Sequence, residues 1–184
     1  MTAYEFLSAT SGSVAERTFG IVFSKYNDEI TRKLVEGAFT TLQEAGVPES
    51  NITVVAVPGA WELALAARRF WQVRQPDGII CLGCVIRGET THDQHINNMV
   101  SRELGRLACE IGRPVGFGLL TCNTWDQAVQ RSGGKVGNKG VETAQAVIEM
   151  LKLDDILLQS TQQPSAIEPI RPGDSSDVLL PSDP

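Results

Sequence analysis

The chain has 184 residues, which is enough for one domain with a hydrophobic core and does not require two. Its formal net charge of −6 and sequence pI near 4.9 argue against a basic nucleic-acid-binding surface. No apolar run reaches the roughly 18 to 20 residues of a membrane span, and the chain begins without the basic and apolar regions of a signal peptide. We therefore expect a cytoplasmic protein with reduced cysteines that binds neither membranes nor nucleic acid.

The N-terminal part of the chain predicts a strand followed by a helix. Residues 1–18 show no clear periodicity, although residues 4–7 fit a short edge strand. The apolar run 19–24 is typical of a buried core strand. Asp28 is the expected N-cap of the helix that follows, and this helix ends near Gly46.

The next segments predict a second strand and helix and then a third strand. Residues 52–57 are almost wholly β-branched, which favours a strand, and residues 60–73 have the apolar spacing of a helix. The short apolar run 79–82 is followed by glycine and predicts a buried third strand. Beyond it, apolar residues recur at helical spacing at Ile96, Met99, Val100, Leu104, Leu107 and Ile111.

The turn between this third strand and its helix is a candidate anion site. Thr91 and Gln94 match the capping-box pattern, so residues 88–90 join the end of a strand to the start of a helix. Free backbone N–H groups and the helix dipole favour an anion there, and ligands of open α/β sheets bind at such turns. His92 falls in the first helical turn, where the dipole favours a neutral imidazole that exchanges protons near neutral pH. The alternative is a solvated histidine that only caps the helix.

No metal or redox centre is expected. His92 and His95 lie three residues apart on one helix, but no acidic or cysteine ligands of clear geometry accompany them. Cys81 and Cys84 form a C-x-x-C inside a predicted strand, where residues three apart point to opposite faces. We interpret both as buried apolar thiols.

The C-terminal part predicts a fourth strand, two helices and a tail. Residues 115–120 form the strand, and Thr124 caps a short helix over 125–131. A Gly- and Lys-rich loop over 132–140 precedes the last helix. The apolar face of that helix comprises Ala144, Val147, Ile148 and Leu151.

Strands that alternate with helices and are apolar on both faces predict an α/β fold, a three-layer αβα sandwich with a four-stranded parallel sheet. We expect this domain to span 19–158, after an N-terminal segment of residues 1–18. Five of the nine prolines lie between Pro164 and Pro184, so residues 159–184 predict a disordered, Pro-rich acidic tail.

Several residues at the predicted strand ends could bind a ligand. Tyr26 could stack on a flat heterocycle, or it could simply be half-buried packing. Trp61 and Glu62 open the second helix, where a carboxylate often serves only as a partner of the dipole. Arg131 beside the glycine-rich loop could clamp a phosphate, or it could be a solvated arginine at a helix C-terminus. Their shared place at one sheet edge favours the ligand-binding interpretation.

Taken together, these segments resemble the lumazine synthase family, which acts in riboflavin biosynthesis. The resemblance covers about residues 19–153, and its motifs occur in the family's order and spacing. The matching segments are Tyr26-Asn27-Asp28, Val57-Pro58-Gly59-Ala60-Trp61-Glu62, residues 83–92, Phe117-Gly118-Leu119-Leu120-Thr121, and 128–140 with its terminal Gly-Asn-Lys-Gly.

The resemblance implies a flavodoxin-like sandwich assembled into homopentamers, with each active site shared between neighbouring subunits. It implies condensation of 5-amino-6-(ribitylamino)pyrimidinedione with 3,4-dihydroxy-2-butanone 4-phosphate, releasing phosphate and water, without metal or cofactor. The product, 6,7-dimethyl-8-ribityllumazine, would pass to riboflavin synthase, which is therefore the implied partner. The loop 132–140 has no insertion of the kind found in pentamer-only members, which favours a larger icosahedral shell of about sixty subunits.

The resemblance also implies roles for individual residues. His92 would shuttle protons, and Tyr26 would stack on the pyrimidine ring. Ala60, Trp61 and Glu62 would hold the ribityl chain, and Cys84, Val85 and Ile86 would line the pyrimidine site. The backbone N–H groups of Glu89 and Thr90 would bind the phosphate. The adjacent subunit would contribute Phe117 and the phosphate-binding Arg131, and Lys139 would assist.

The chain departs from the family pattern after His92, where Asp93-Gln94-His95 replaces the more common aromatic or apolar residues. Asp93 could raise the proton affinity of His92. Two other functions fit the same sandwich. One is a flavin- or pterin-like binding protein, which would need Tyr26 and Glu62 but not His92 with Arg131. The other is a shell protein whose assembly matters more than catalysis.

Overall fold

The computed structural model describes residues 7–9 and 12–160. The strands are β1 (Phe19–Ser24), β2 (Ile52–Val57), β3 (Gly78–Ile86), β4 (Val115–Cys122), β5 (Ser132–Gly134) and β6 (Gly137–Asn138). The helices are α1 (Asp28–Glu44), α2 (Leu63–Arg74), α3 (His92–Ile111), α4 (Trp125–Gln130) and α5 (Lys139–Ser160), with single 3-10 turns at Glu49–Asn51 and Ala60–Glu62. None of these helices is both long and apolar enough to cross a membrane.

The main sheet is parallel, has the strand order β2-β1-β3-β4, and confirms the predicted four-stranded α/β fold. The register places an open edge at one end of β3. Pairing of β1 with β3 stops at Phe23 opposite Leu82, whereas pairing of β3 with β4 continues to Ile86 opposite Cys122. Since β1 ends at Ser24, residues 84–86 of β3 have no neighbouring strand on the β1 side among the described residues.

Helices cover both faces of the sheet, as a three-layer sandwich requires. On one face α1 and α5 bury Leu34, Leu42 and Leu151 against the sheet. On the other face α2 and α3 bury Leu63 and Leu104. All of these side chains are almost fully removed from water, and burial of this apolar surface is the main source of stability.

The two cysteines of the C-x-x-C lie on opposite faces of β3, as predicted. Cys84 belongs to the core beneath α1 and α5, and Cys81 to the core beneath α2 and α3. Burial raises the pKa of each thiol to about 12, so both are protonated near neutral pH. All four cysteines are free.

Two predicted helix caps differ from the structure. Asn27, and not Asp28, is the N-cap of α1; it has φ 60 and ψ 46, and its side chain makes no cap bond. Thr91 is the N-cap of α3, but its side chain makes no cap hydrogen bond, and Gln94 N–H donates instead to the Thr91 carbonyl at 3.1 Å. The prediction of a Thr91–Gln94 capping box was therefore wrong.

The predicted loop over 132–140 contains regular structure. β5 and β6 form a short antiparallel ribbon, and α5 begins already at Lys139. The helix starts there because Asn138 Oδ1 accepts hydrogen bonds from the N–H groups of Gly140 at 2.8 Å and Val141 at 3.4 Å.

The structure tests the predictions for the two ends of the chain only in part. Of the possible edge strand over 4–7, only Leu7 is described, and it is not in a strand. α5 extends through Ser160, so the first two residues of the predicted tail are helical. Residues 161–184 of that tail lie outside the described residues.

Candidate active site

A cavity of about 410 Å³ lies at the carboxyl ends of β1, β2 and β3 and at the start of α3. We call it the first cavity. It is lined by Tyr26, Gly59, Ala60, Trp61, Cys84, Val85, Ile86, Gly88, Thr90, His92, Asp93 and Ile96. It brings together eight of the thirteen predicted site residues, namely Tyr26, Ala60, Trp61, Cys84, Val85, Ile86, Thr90 and His92.

Two aromatic side chains that line this cavity are largely exposed to solvent. Tyr26 is 72% exposed and Trp61 is 53% exposed, so neither is part of the core. The turn that carries Tyr26 is fixed by backbone hydrogen bonds from Lys25 N–H to the Val57 carbonyl (2.8 Å) and from Tyr26 N–H to the Pro58 carbonyl (3.2 Å). An exposed ring on a fixed turn favours stacking on a ligand over the packing role considered above.

The open edge of β3 supplies backbone polar groups to the same cavity. Asn27 Nδ2 donates to the Cys84 carbonyl at 3.0 Å, on the side where β1 has ended. Arg87 N–H donates to the Cys122 carbonyl on the β4 side at 2.8 Å. Because successive peptide groups of a strand point to opposite edges, the N–H and C=O of Ile86 face the side without a strand. That donor and acceptor suit the edge of a planar, amide-like ring.

The start of α3 brings His92 to the cavity. Thr91 is the N-cap, His92 is the first helical residue, and its imidazole lines the cavity and is exposed. The backbone N–H of His92 is 3.4 Å from Thr90 Oγ1. The first N–H groups of a helix lack helical partners, so this end of the cavity suits an anionic group. Glu89 lies in the same turn and is exposed, but it does not line the cavity.

Glu62 is beside the cavity but does not line it. Its Oε2 accepts a hydrogen bond from the Gly59 N–H at 2.9 Å, across the 3-10 turn that precedes α2. This contact fits the alternative considered for Glu62 in the sequence, in which the carboxylate only stabilises the start of the helix. Its second carboxylate oxygen is not used in this bond.

The other three predicted residues lie at a second cavity of about 690 Å³ beside β4 and α4. Phe117, Arg131 and Lys139 all line it, together with residues of β4, and none of the three lines the first cavity. The single chain therefore divides the predicted residues between two cavities.

The two cations of the second cavity share one carboxylate oxygen. Glu142 Oε2 is 3.2 Å from Arg131 Nη2 and 3.1 Å from Lys139 Nζ. One negative charge thus holds two positive groups and leaves several of their N–H donors available to an anion.

The structure places at these cavities three residues that were not among the predicted site residues. Asn27 bonds the open edge of β3, Asp93 lines the first cavity, and Glu142 pairs with both cations. The spacing of Lys139 and Glu142 predicts an ion pair on a helix, but the sequence placed Lys139 in a loop, and Asp93 had been considered only as a neighbour of His92. Among residues 7–9 and 12–160, no group of three or more His, Cys, Asp or Glu could hold a metal ion.

Comparison with known proteins gives consistent results. The family model for 6,7-dimethyl-8-ribityllumazine synthase matches residues 16–155. A protein of that name from Rhodopirellula baltica is 51% identical over 147 residues, which cover 80% of this chain and 95% of the relative. Proteins of the same name from two strains of Nitratidesulfovibrio vulgaris are each 44% identical over 135 residues, covering 73% of this chain and 86% of each relative.

Proposed function

This chain belongs to the 6,7-dimethyl-8-ribityllumazine synthase family, and on that premise we propose the reaction that it catalyses. It is a transferase of riboflavin biosynthesis that condenses 5-amino-6-(ribitylamino)pyrimidinedione with 3,4-dihydroxy-2-butanone 4-phosphate. The products are 6,7-dimethyl-8-ribityllumazine, phosphate and water. One observation carries the proposal: the first cavity combines an exposed aromatic ring, an open strand edge and a histidine at a helix start. These are the elements needed to hold a flat heterocycle beside an anion and to move protons between them.

The pyrimidinedione binds against the walls of the first cavity. Tyr26 stacks on the ring, and the free N–H and C=O of Ile86 bond its amide-like edge, with Cys84 and Val85 beside it. Ala60, Trp61 and Glu62 hold the ribityl chain at the start of α2, where the other carboxylate oxygen of Glu62 accepts a hydrogen bond from a hydroxyl group of that chain. The hydrophobic walls give affinity, and the few polar groups fix the orientation of the ring.

The phosphate binds at the start of α3 and requires a second subunit. The N–H groups of Glu89 and Thr90 receive it, and Arg131 and Lys139 neutralise its charge. Because these two cations and Phe117 line a separate cavity of the same chain, we propose that a neighbouring subunit supplies all three to each site. A ring of five identical subunits completes five sites in this way, since each interface is heterologous and the ring closes.

His92 moves the protons of the reaction. Imine formation, β-elimination of phosphate and ring closure each need proton transfers but no strong nucleophile. An imidazole beside two substrates that are held in register can accept and return those protons, and positioning contributes the rest of the rate enhancement.

Further assembly and location are also part of the proposal. We place the catalytic domain at 19–158, in pentamers that associate into an icosahedral shell, with riboflavin synthase as the enzyme that uses the product. The free cysteines are consistent with a reducing compartment such as the cytoplasm.

A turnover assay with the two purified substrates tests the function. Formation of the lumazine is followed by its fluorescence, above the slow reaction of the two substrates without protein. We expect a protein-dependent rate that inorganic phosphate inhibits competitively against the butanone phosphate. A rate equal to background, from folded protein that still binds the pyrimidinedione, would contradict the proposal and favour a binding protein.

A further inference from the structure

One carboxylate oxygen in the first cavity is buried without a hydrogen-bond donor. Asp93 Oδ1 is shielded from solvent, and no group of the described residues donates to it. The same side chain lines the first cavity between His92 and Ile96. A buried carboxylate oxygen is unfavourable unless it is paired, so a rotation of this side chain that brings the oxygen to a donor in the first cavity would relieve an unfavourable state.

The position of Asp93 on α3 explains why this side chain is turned inward. Asp93, Asn97, Val100 and Leu104 follow one another at intervals of four, three and four residues, so they share one face of the helix. Val100 and Leu104 are buried against the sheet, which directs this whole face toward the protein interior. An acidic residue that served only the helix dipole would need no buried oxygen and could remain in water.

We propose that Asp93 is a further substrate-binding residue: its carboxylate, whose Oδ1 has no donor among the described residues, turns into the first cavity and accepts a hydrogen bond from an amino or hydroxyl group of the ribitylamino-pyrimidinedione. The inference rests on the function proposed above. Charge selects between the two substrates, because the butanone phosphate is an anion and a carboxylate in contact with it would oppose binding. The pyrimidinedione instead carries an amino group and a chain of hydroxyls, all of which can donate.

Asn97 provides a matched control one helical turn further along. Its Oδ1 is also buried and also has no donor among the described residues. However, Asn97 does not line the first cavity. A general effect of removing an unpaired polar group from this helix face would therefore be seen at both positions, whereas an effect on substrate binding is expected only at Asp93.

The test measures steady-state kinetics and binding for the wild type, Asp93→Ala, Asp93→Asn and Asn97→Ala. Each substrate is varied while the other is saturating, and binding of the pyrimidinedione alone is followed by tryptophan fluorescence. For Asp93→Ala we expect the KM and Kd of the pyrimidinedione to rise about ten-fold or more, which is the usual effect of losing a hydrogen bond to a charged group. The KM of the butanone phosphate is expected not to rise.

The conservative variant makes the test independent of folding. Asp93→Asn keeps the shape and one acceptor oxygen, so we expect a smaller rise in the same two constants and a thermal midpoint close to that of the wild type. Asn97→Ala is expected to leave both constants unchanged. An unchanged Kd for the pyrimidinedione in both Asp93 variants, or an equal rise in Asn97→Ala, would overturn the inference. If the wild type turns over the two substrates in the same experiment, such a result contradicts only the role of Asp93 and leaves the proposed function standing.

Discussion

Substitution of Asn27 tests how the first cavity is held together. Asn27 has the left-handed conformation at φ 60, and its side chain donates to the Cys84 carbonyl at 3.0 Å. In Asn27→Ala the left-handed conformation costs about 1 to 2 kcal/mol, and loss of the hydrogen bond costs about 1 kcal/mol more. In Asn27→Gly the hydrogen bond is lost equally, but glycine adopts this conformation without strain and adds only about 0.5 to 1 kcal/mol through its flexibility when unfolded.

The three proteins should therefore rank in stability as wild type, then Asn27→Gly, then Asn27→Ala. For a chain of this size each kcal/mol lowers the thermal midpoint by about 2 to 4 °C, so differences of this size are measurable at a fixed protein concentration. Both variants should raise the KM of the pyrimidinedione, because the strand edge that bonds the ring is no longer held by Asn27. Equal midpoints for Asn27→Ala and Asn27→Gly would refute the conformational argument. A KM equal to that of the wild type in both would refute the positioning role.

Three further predictions follow from the site and from the ion pairs. His92→Ala should lower kcat by about a hundred-fold, the lower end of the usual contribution of general acid–base catalysis, while the Kd of the pyrimidinedione stays unchanged; unaltered kcat would remove His92 from the mechanism. Arg131→Ala should raise the KM of the butanone phosphate about ten-fold or more, and an effect on the pyrimidinedione alone would contradict the phosphate assignment. Burial opposes ionisation of Asp77, but hydrogen bonds from Thr18 and the Arg17 guanidinium outweigh it and hold the pKa of this carboxyl below its ordinary value. The ionised form of Asp77 then contributes stability above the unfolded pKa of about 4. The difference in thermal midpoint between wild type and Asp77→Asn should therefore be constant above that pH and should shrink as the pH falls through the folded pKa. A difference that persists in acid would contradict this role of the Asp77 carboxylate.

The main sheet and most of the first cavity could be predicted from the sequence because both depend on short-range patterns. Apolar runs of strand length, such as 19–24 and 52–57, matched β1 and β2 residue for residue. Parallel strands bring their carboxyl ends to one edge, which the sequence predicts, and the sheet order β2-β1-β3 then places Tyr26, Trp61 and His92 together.

The parts that were missed depend on contacts between distant residues. Asp28 looked like the better cap, but the conformation of Asn27 is fixed by a bond to Cys84, which lies 57 residues further along the chain. The spacing of α3 places Asp93 on the same helix face as Val100 and Leu104, but that its buried oxygen lacks a donor is visible only in the packed structure. The separation of Arg131 from the first cavity depends on the path of the chain after β4.

The unpaired end of β3 also bears on how this protein avoids aggregation. A bare strand edge is a template on which another polypeptide strand can add, and such edges are normally shortened, charged or covered. Here the edge amounts to residues 84–86, one of its carbonyls already accepts a hydrogen bond from the side chain of Asn27, and Tyr26 and Trp61 border the same cavity. The opening between these side chains suits a small planar molecule, and it is too short for another polypeptide strand to pair with β3. The backbone groups at this edge therefore stay available to a ligand without promoting aggregation.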